Sequence, residues 1–182
     1  AAAGPALIVD HSNDILAWNT LGHRLIAPHL PYDAPERSVD RPNQTRLFFL
    51  EPGGADLYVD PEEMARAMVG FLRYSSGLFP DDRKLSLLVG ELAQRSSWFA
   101  TLWTEHPVFD CGYGLKSFAH PVVGRMDLSY EALLIADSSQ RWCSTPRSRA
   151  RPRPTVSPFS HRTDGRWGVS RAGSLDCPGD RD

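Results

Sequence analysis

Six histidines and three cysteines are the residues best suited to acid–base, nucleophilic or metal chemistry, and the chain scatters them. No His-x-x-x-His pair occurs, and Cys111, Cys143 and Cys177 lack the close pairing of a zinc site or a disulfide framework. No Gly-x-Ser-x-Gly elbow is present. Gly112-Tyr113-Gly114 lacks the third glycine and the following helix of a dinucleotide loop. His106 closes an expected helix and His120 closes an expected strand before Pro121. Either could act as a base, and Cys111 within reach would make a nucleophile–base pair. Their plainer roles are to satisfy helix-end carbonyls and to fix a turn. Glu62 and Glu63 are adjacent, so on a helix they do not face each other as an acid–base pair. No orienting third group completes a catalytic set. The expectation is a non-enzyme without metal or cofactor, with a small enzyme using His106, His120 or Cys111 as one alternative.

Arg46 stands out by its setting, directly before Leu47-Phe48-Phe49-Leu50. A cation there is partly buried unless its stem snorkels outward. A buried guanidinium needs a carboxylate or a set of carbonyls. Two readings stay open. Arg46 receives the head group of an acidic apolar ligand, or it pairs internally with Asp56, Asp60 or Glu91. Trp18, Phe48, Phe49, Phe71, Phe99 and Trp103 could line a cavity, or simply fill the core.

The elements that must position these residues follow from periodicity. Ala6–Val9 and Asp14–Trp18 flank Asp10-His11-Ser12-Asn13, which reads as a hairpin around a polar turn. Thr20–Ala27 reads as a short helix, and four prolines in residues 28–42 make a loop. Asn43–Leu50 is a mixed apolar segment. Asp60-Pro61-Glu62-Glu63 opens a helix whose Met64, Met68, Phe71 and Leu72 share a face. Asp81-Asp82 opens a second, with Leu85, Leu88, Val89 and Leu92 at helical spacing; Ser96-Ser97 caps a third. Gly112–His120 and Arg125–Ala136 read as strands, the second alternating Met126, Leu128 and Tyr130 with polar residues. The order predicts an α+β fold, helices laid on an antiparallel sheet, with a small cavity between the layers.

Charge divides the chain unevenly. Residues 141–182 contain nine Arg, no Lys and four Asp, whereas residues 1–140 carry a net charge of -7 within an overall -2. The segment 138–182 has no apolar periodicity, so disorder is expected. Its Arg-, Pro- and Ser-rich composition reads as an out-of-frame end more readily than as a nucleic-acid arm. No apolar run approaches membrane-spanning length and no secretory signal opens the chain, which points to a cytoplasmic protein.

Several blocks together resemble the ligand-binding domain of MmyB-like transcription regulators of the Xre helix-turn-helix class. They are Ile15–Asn19, Asn43-Gln44-Thr45-Arg46-Leu47-Phe48-Phe49-Leu50-Glu51-Pro52, Leu57–Asp60, Phe71-Leu72-Arg73, Leu88–Leu92, Ser96–Trp103, and Lys116–Gly124 leading into Leu128–Leu133. The resemblance covers about residues 5–137. It implies a PAS-like sensor domain, residues 1–137, binding a small, fatty-acid-like apolar ligand in an internal pocket. Occupancy would modulate DNA binding by a helix-turn-helix domain that this chain does not contain. Arg46 and Asn43 would form the polar end of that pocket. Trp18, Phe49, Phe71, Phe99 and Trp103 would form its wall, with His120 also at the site. Pro61 stands where the family usually has Trp. The family's last strand is expected to be missing after Asp137, exposing a sheet edge. A homodimerising protein–protein module is the other alternative.

Overall fold

The hairpin at the start is built by one carboxylate. Asp10 Oδ1 accepts from the backbone N–H of Ser12 and Asp14, both at 2.9 Å, and from the Ser12 hydroxyl at 2.8 Å. Asn13 takes the left-handed conformation, φ 63°, which its short polar side chain tolerates. This turn joins β1 (Ala6–Val9) to β2 (Ile15–Trp18). The computed structural model describes residues 4–107, 113–134 and 141–144.

Each helix starts where a side chain can satisfy free backbone donors. Asn19 caps α1 (Thr20–Ile26) by accepting from Gly22, and Asn43 caps α2 (Gln44–Phe49). Asp60 caps α3 (Pro61–Leu78), with Pro61 at the first helical position, where its missing N–H costs nothing. Asp82 caps α4 (Arg83–Arg95) and Ser96 caps α5 (Ser97–Glu105). The segment Asn43–Leu50 had no clear periodicity because α2 is under two turns long. Ser75-Ser76-Gly77 does not end α3, which runs on to Leu78.

Two further strands follow, β3 (Tyr113–His120) and β4 (Gly124–Leu134), paired in antiparallel register from Tyr113 opposite Glu131 to His120 opposite Gly124. A fifth, β5 (Arg141–Ser144), completes one sheet in the order β2-β1-β5-β4-β3. All its pairings are antiparallel.

This strand corrects the expectation that the fold ends at Asp137 and lacks its last strand. β5 lies in the centre of the sheet, with Leu7 opposite Cys143 on one side and Ala132 opposite Cys143 on the other. At four residues β5 is too short to show a period of two, and its ladders use backbone groups that every residue carries. Its four residues were masked by the Arg-rich composition around them. The rest of the expected tail, 145–182, lies outside the described residues.

The core forms two clusters. The larger packs α3, α4 and α5 through Met68, Leu72, Leu85, Leu92, Phe99 and Leu102, and reaches the sheet at Phe118. Full burial of each such side chain stabilises by about 1.5–3 kcal/mol, an upper estimate. The smaller joins β1 and β2 to α2 through Leu7, Val9, Ile15, Trp18 and Leu47. The fold is α+β, as the element order predicted.

Candidate ligand-binding cavity

The proline-rich loop after α1 delivers Asn43 into a buried polar knot, where the side chain is 2% exposed. Its carbonyl oxygen accepts from Thr45 and Arg46 N–H, both at 3.0 Å. Its amide donates to the Ser12 carbonyl and to Asp14 Oδ1, both at 2.7 Å. All the hydrogen-bonding capacity of Asn43 is thus spent inside the protein. Asn13 Nδ2 adds a bond to Thr45 Oγ1 at 3.0 Å. The knot locks the start of α2 against the β1–β2 turn and so sets the rotation of the helix.

That rotation sends neighbouring side chains in different directions. Arg46 reaches α4, where Nε and Nη2 both contact Glu91 Oε2 at 2.8 Å. Arg95 adds a bond to Glu91 Oε1 at 2.7 Å. Burial pushes the Glu91 carboxyl up, but the hydrogen bonds and charges of Arg46 and Arg95 outweigh it and hold the group below its ordinary value. Gln44, Leu47 and Phe48 instead face a cavity of about 380 Å³. That lies toward the small end of ligand pockets, which run about 300–1,000 Å³.

Four segments line the cavity, which is open on one side. The end of α1 and its loop give Leu25, Ile26, Pro28 and His29, and α2 gives the three residues above. The turn after α2 contributes Glu51–Gly54, then Asp56, Leu57 and Tyr58. The end of β3 contributes Ala119 and His120, followed by Pro121. The wall is mainly apolar, with a few polar groups at its edge.

Specific contacts hold these segments in place. Val59 N–H donates to the Ser117 carbonyl at 3.0 Å, and Tyr58 pairs with Phe118 through an isolated bridge. These bonds fasten the turn to the outer strand β3. The turn also lies tightly against α2: a Cβ at Gly54 would collide with the Leu47 carbonyl oxygen, so only glycine fits there. His120 Nε2 donates to the Arg24 carbonyl at 3.1 Å, while Nδ1 accepts from Val122 N–H at 3.2 Å. One imidazole thus joins β3, the following turn and α1. His29 Nε2 lies 3.0 Å from Glu51 Oε2; both side chains are about half exposed, at the cavity edge. No Lys or Arg is among the described residues of the lining.

Of the residues expected at a site, the structure brings His120 to this cavity, together with Phe48 from the aromatics considered for a lining. Arg46 forms the internal pair with Glu91, one of the three acids considered for it. Asn43 caps α2. The expected aromatic wall lies elsewhere, because those rings are absorbed by packing between elements. Trp18 packs in the smaller core and donates to the Tyr32 carbonyl at 2.8 Å. Phe71 and Phe99 are buried in the larger core, and Phe49 meets Phe99 edge to face with centroids 5.2 Å apart. Trp103 stacks on Phe99 and carries the Arg73 guanidinium 4.3 Å above its ring. His106 is exposed at the end of α5, with φ 53° and its Nδ1 on the Thr104 carbonyl. His106 and His120 are each engaged by backbone groups, and Cys111 lies outside the described residues. Leu25, Leu47, Leu57, His29 and Glu51 were not singled out for the cavity. The one available signal was the Glu51-Pro52-Gly53-Gly54 turn, since glycines beside an apolar helix often mark a close backbone approach.

A family model described as the MmyB-like transcription regulator ligand binding domain matches residues 2–153. The chain belongs to this family. The MmyB-like domain is a regulator module and not a member of an enzyme family. Its match runs past Asp137 and takes in β5, as the sheet topology requires. Comparison with curated proteins finds no match for the MmyB-like domain. Among its described residues no helix is long and apolar enough to cross a membrane, and no group of His, Cys, Asp and Glu could hold a metal ion.

Proposed function

We propose that this MmyB-like domain senses a small, mostly apolar molecule of the fatty-acid-like kind, an aliphatic chain with one polar end. The cavity between α1, α2 and the end of β3 is its binding site. The observation that carries this reading is the cavity itself: about 380 Å³, walled by Leu25, Leu47, Phe48 and Leu57, in a chain of a ligand-binding family. Burying an apolar chain against that wall supplies the affinity, and the few polar groups at the edge orient the head.

The site also suits signalling. It is formed by segments from both ends of the fold, tied by His120 to Arg24 and by Val59 to Ser117. A ligand that fits one arrangement of these segments better than another shifts the domain between the two. In this reading the shift biases DNA binding by a helix-turn-helix domain of the same regulator, in the cytoplasm. A PAS-like sensor domain would work in this way.

The test is native mass spectrometry with lipid extraction after bacterial expression. A co-purifying apolar molecule is expected, and Leu57→Trp, which fills the cavity, should lose it. A well-folded protein that carries no such molecule and binds no added aliphatic probe would refute the reading.

A further inference from the structure

Most polar side chains of the described cavity lining are already committed. His29 and Glu51 hold each other at 3.0 Å. His120 uses Nε2 on the Arg24 carbonyl and Nδ1 on the Val122 N–H. Tyr58 is buried and partnered within the protein. Asp56 is exposed to water. Gln44 differs from all of these. Its backbone N–H donates to the Asn13 carbonyl at 2.8 Å, but its half-buried carboxamide makes no hydrogen bond among the described residues. The backbone donors beside it are spent as well. Thr45 and Arg46 N–H go to Asn43 Oδ1, and Leu47 N–H goes to the Asn43 carbonyl. The Gln44 carboxamide is therefore the unspent donor that α2 brings to the cavity.

We propose that Gln44 is the residue that reads the ligand's head, its Nε2–H donating to a head oxygen while the aliphatic chain runs over Leu47 and Phe48. This rests on the reading of the cavity as the ligand site. Gln44, Leu47 and Phe48 stand at i, i+3 and i+4, so they share one face of α2 and can meet one molecule along its length. Gln44 is the first residue of α2, and Glu51 follows the end of that helix. The six residues of α2 span about 9 Å, a separation over which charges beside water interact weakly. A carboxylate head at Gln44 thus lies clear of Glu51, which His29 already engages. Because Gln44 is only half-buried, water reaches the second head oxygen and the charge is not stranded. A cavity of about 380 Å³ holds about a dozen non-hydrogen atoms at about 30 Å³ each, so an octyl chain with its head fits.

Calorimetric titration of the full chain with octanoate and octanol at pH 7 and low salt tests the proposal. The two probes share one chain length and differ in the head. Gln44→Leu, which keeps the size and removes the amide, should weaken octanoate by about five- to tenfold. Gln44→Glu should weaken octanoate by about tenfold or more and octanol by no more than about twofold, because a carboxylate repels one head and accepts the hydroxyl of the other. Added salt should narrow that gap. The urea midpoint of both variants should match the original, since the carboxamide holds nothing in the free protein; a role in packing alone would lower it. Octanoate binding unchanged in both variants, or octanoate and octanol weakened equally by Gln44→Glu, would overturn the assignment to Gln44 while leaving the cavity reading intact. No binding by either probe, or binding that Leu57→Trp leaves unchanged, would overturn the cavity reading itself.

Discussion

Arg46 and Glu91 lie 45 residues apart and are joined across α2 and α4 by two contacts of 2.8 Å to the same carboxylate oxygen. The pair fixes the helix that carries Leu47 and Phe48, so Arg46 supports the cavity without lining it. Replacing Arg46 by Met should cost about 0.5–1 kcal/mol in urea unfolding, since both side chains are partly exposed to water. Octanol affinity should stay within about twofold, a change too small to count as a lost contact. A loss of binding without a loss of stability would instead make Arg46 a ligand contact.

Asn43 carries more weight than Arg46. Asn43→Ala removes a helix cap and leaves the Ser12 carbonyl and Asp14 without a buried donor. The expected cost is about 2–4 kcal/mol, read as a lower urea midpoint. Asn43→Asp keeps the acceptor but sets a second carboxylate against Asp14, so it should rescue little. An Asn43→Ala protein as stable as the original would refute this account of α2.

β5 makes the chain's length testable. A chain ending at Asp137 leaves β1 and β4 with unpaired edges in the middle of the sheet. It should aggregate or fail to melt cooperatively. A chain ending at residue 153 keeps β5 and the whole family match, and should melt like the full chain. Circular dichroism and gel filtration compare the two. Cooperative melting of the shorter chain at an unchanged temperature would mean that β5 contributes nothing.

Stability should fall at both ends of the pH range. The Leu85 backbone N–H and then His11 hold Asp82 below its ordinary 3.8, and Glu91 lies below 4.5 through Arg46 and Arg95 despite burial. Carboxyls lowered by folding stabilise fully above those ordinary values, and the gain is lost as pH falls through the folded ones. Lys84 behaves in the opposite sense. Burial lowers it, but bonds to Asp14 and Asp10 prevail and raise it above 10.5. Its contribution is complete below 10.5 and is lost as pH rises through the folded value. Glu91→Gln should flatten the acid limb of a stability–pH curve, and Lys84→Met the alkaline limb. Unchanged limbs in both variants would exclude these pairs as the cause.

Local signals in the chain determined most of the elements. Asp60-Pro61 and Asp82 start α3 and α4 where capping chemistry dictates, and Leu85, Leu88 and Leu92 face the core as their spacing requires. The ordered blocks also determined the family. Such features act within a few residues, so they survive in a linear reading. Tertiary structure alone decided the rest. Whether Arg46 meets a ligand or Glu91 depends on where α4 falls beside α2. Whether Phe48 or Phe49 faces the cavity depends on the rotation that Asn43 imposes on a helix too short to show a period. The place of β5 was decided by ladders to β1 and β4, partners far away in sequence. Long-range pairing of this kind uses backbone groups that every residue carries, and therefore leaves little mark on side-chain pattern.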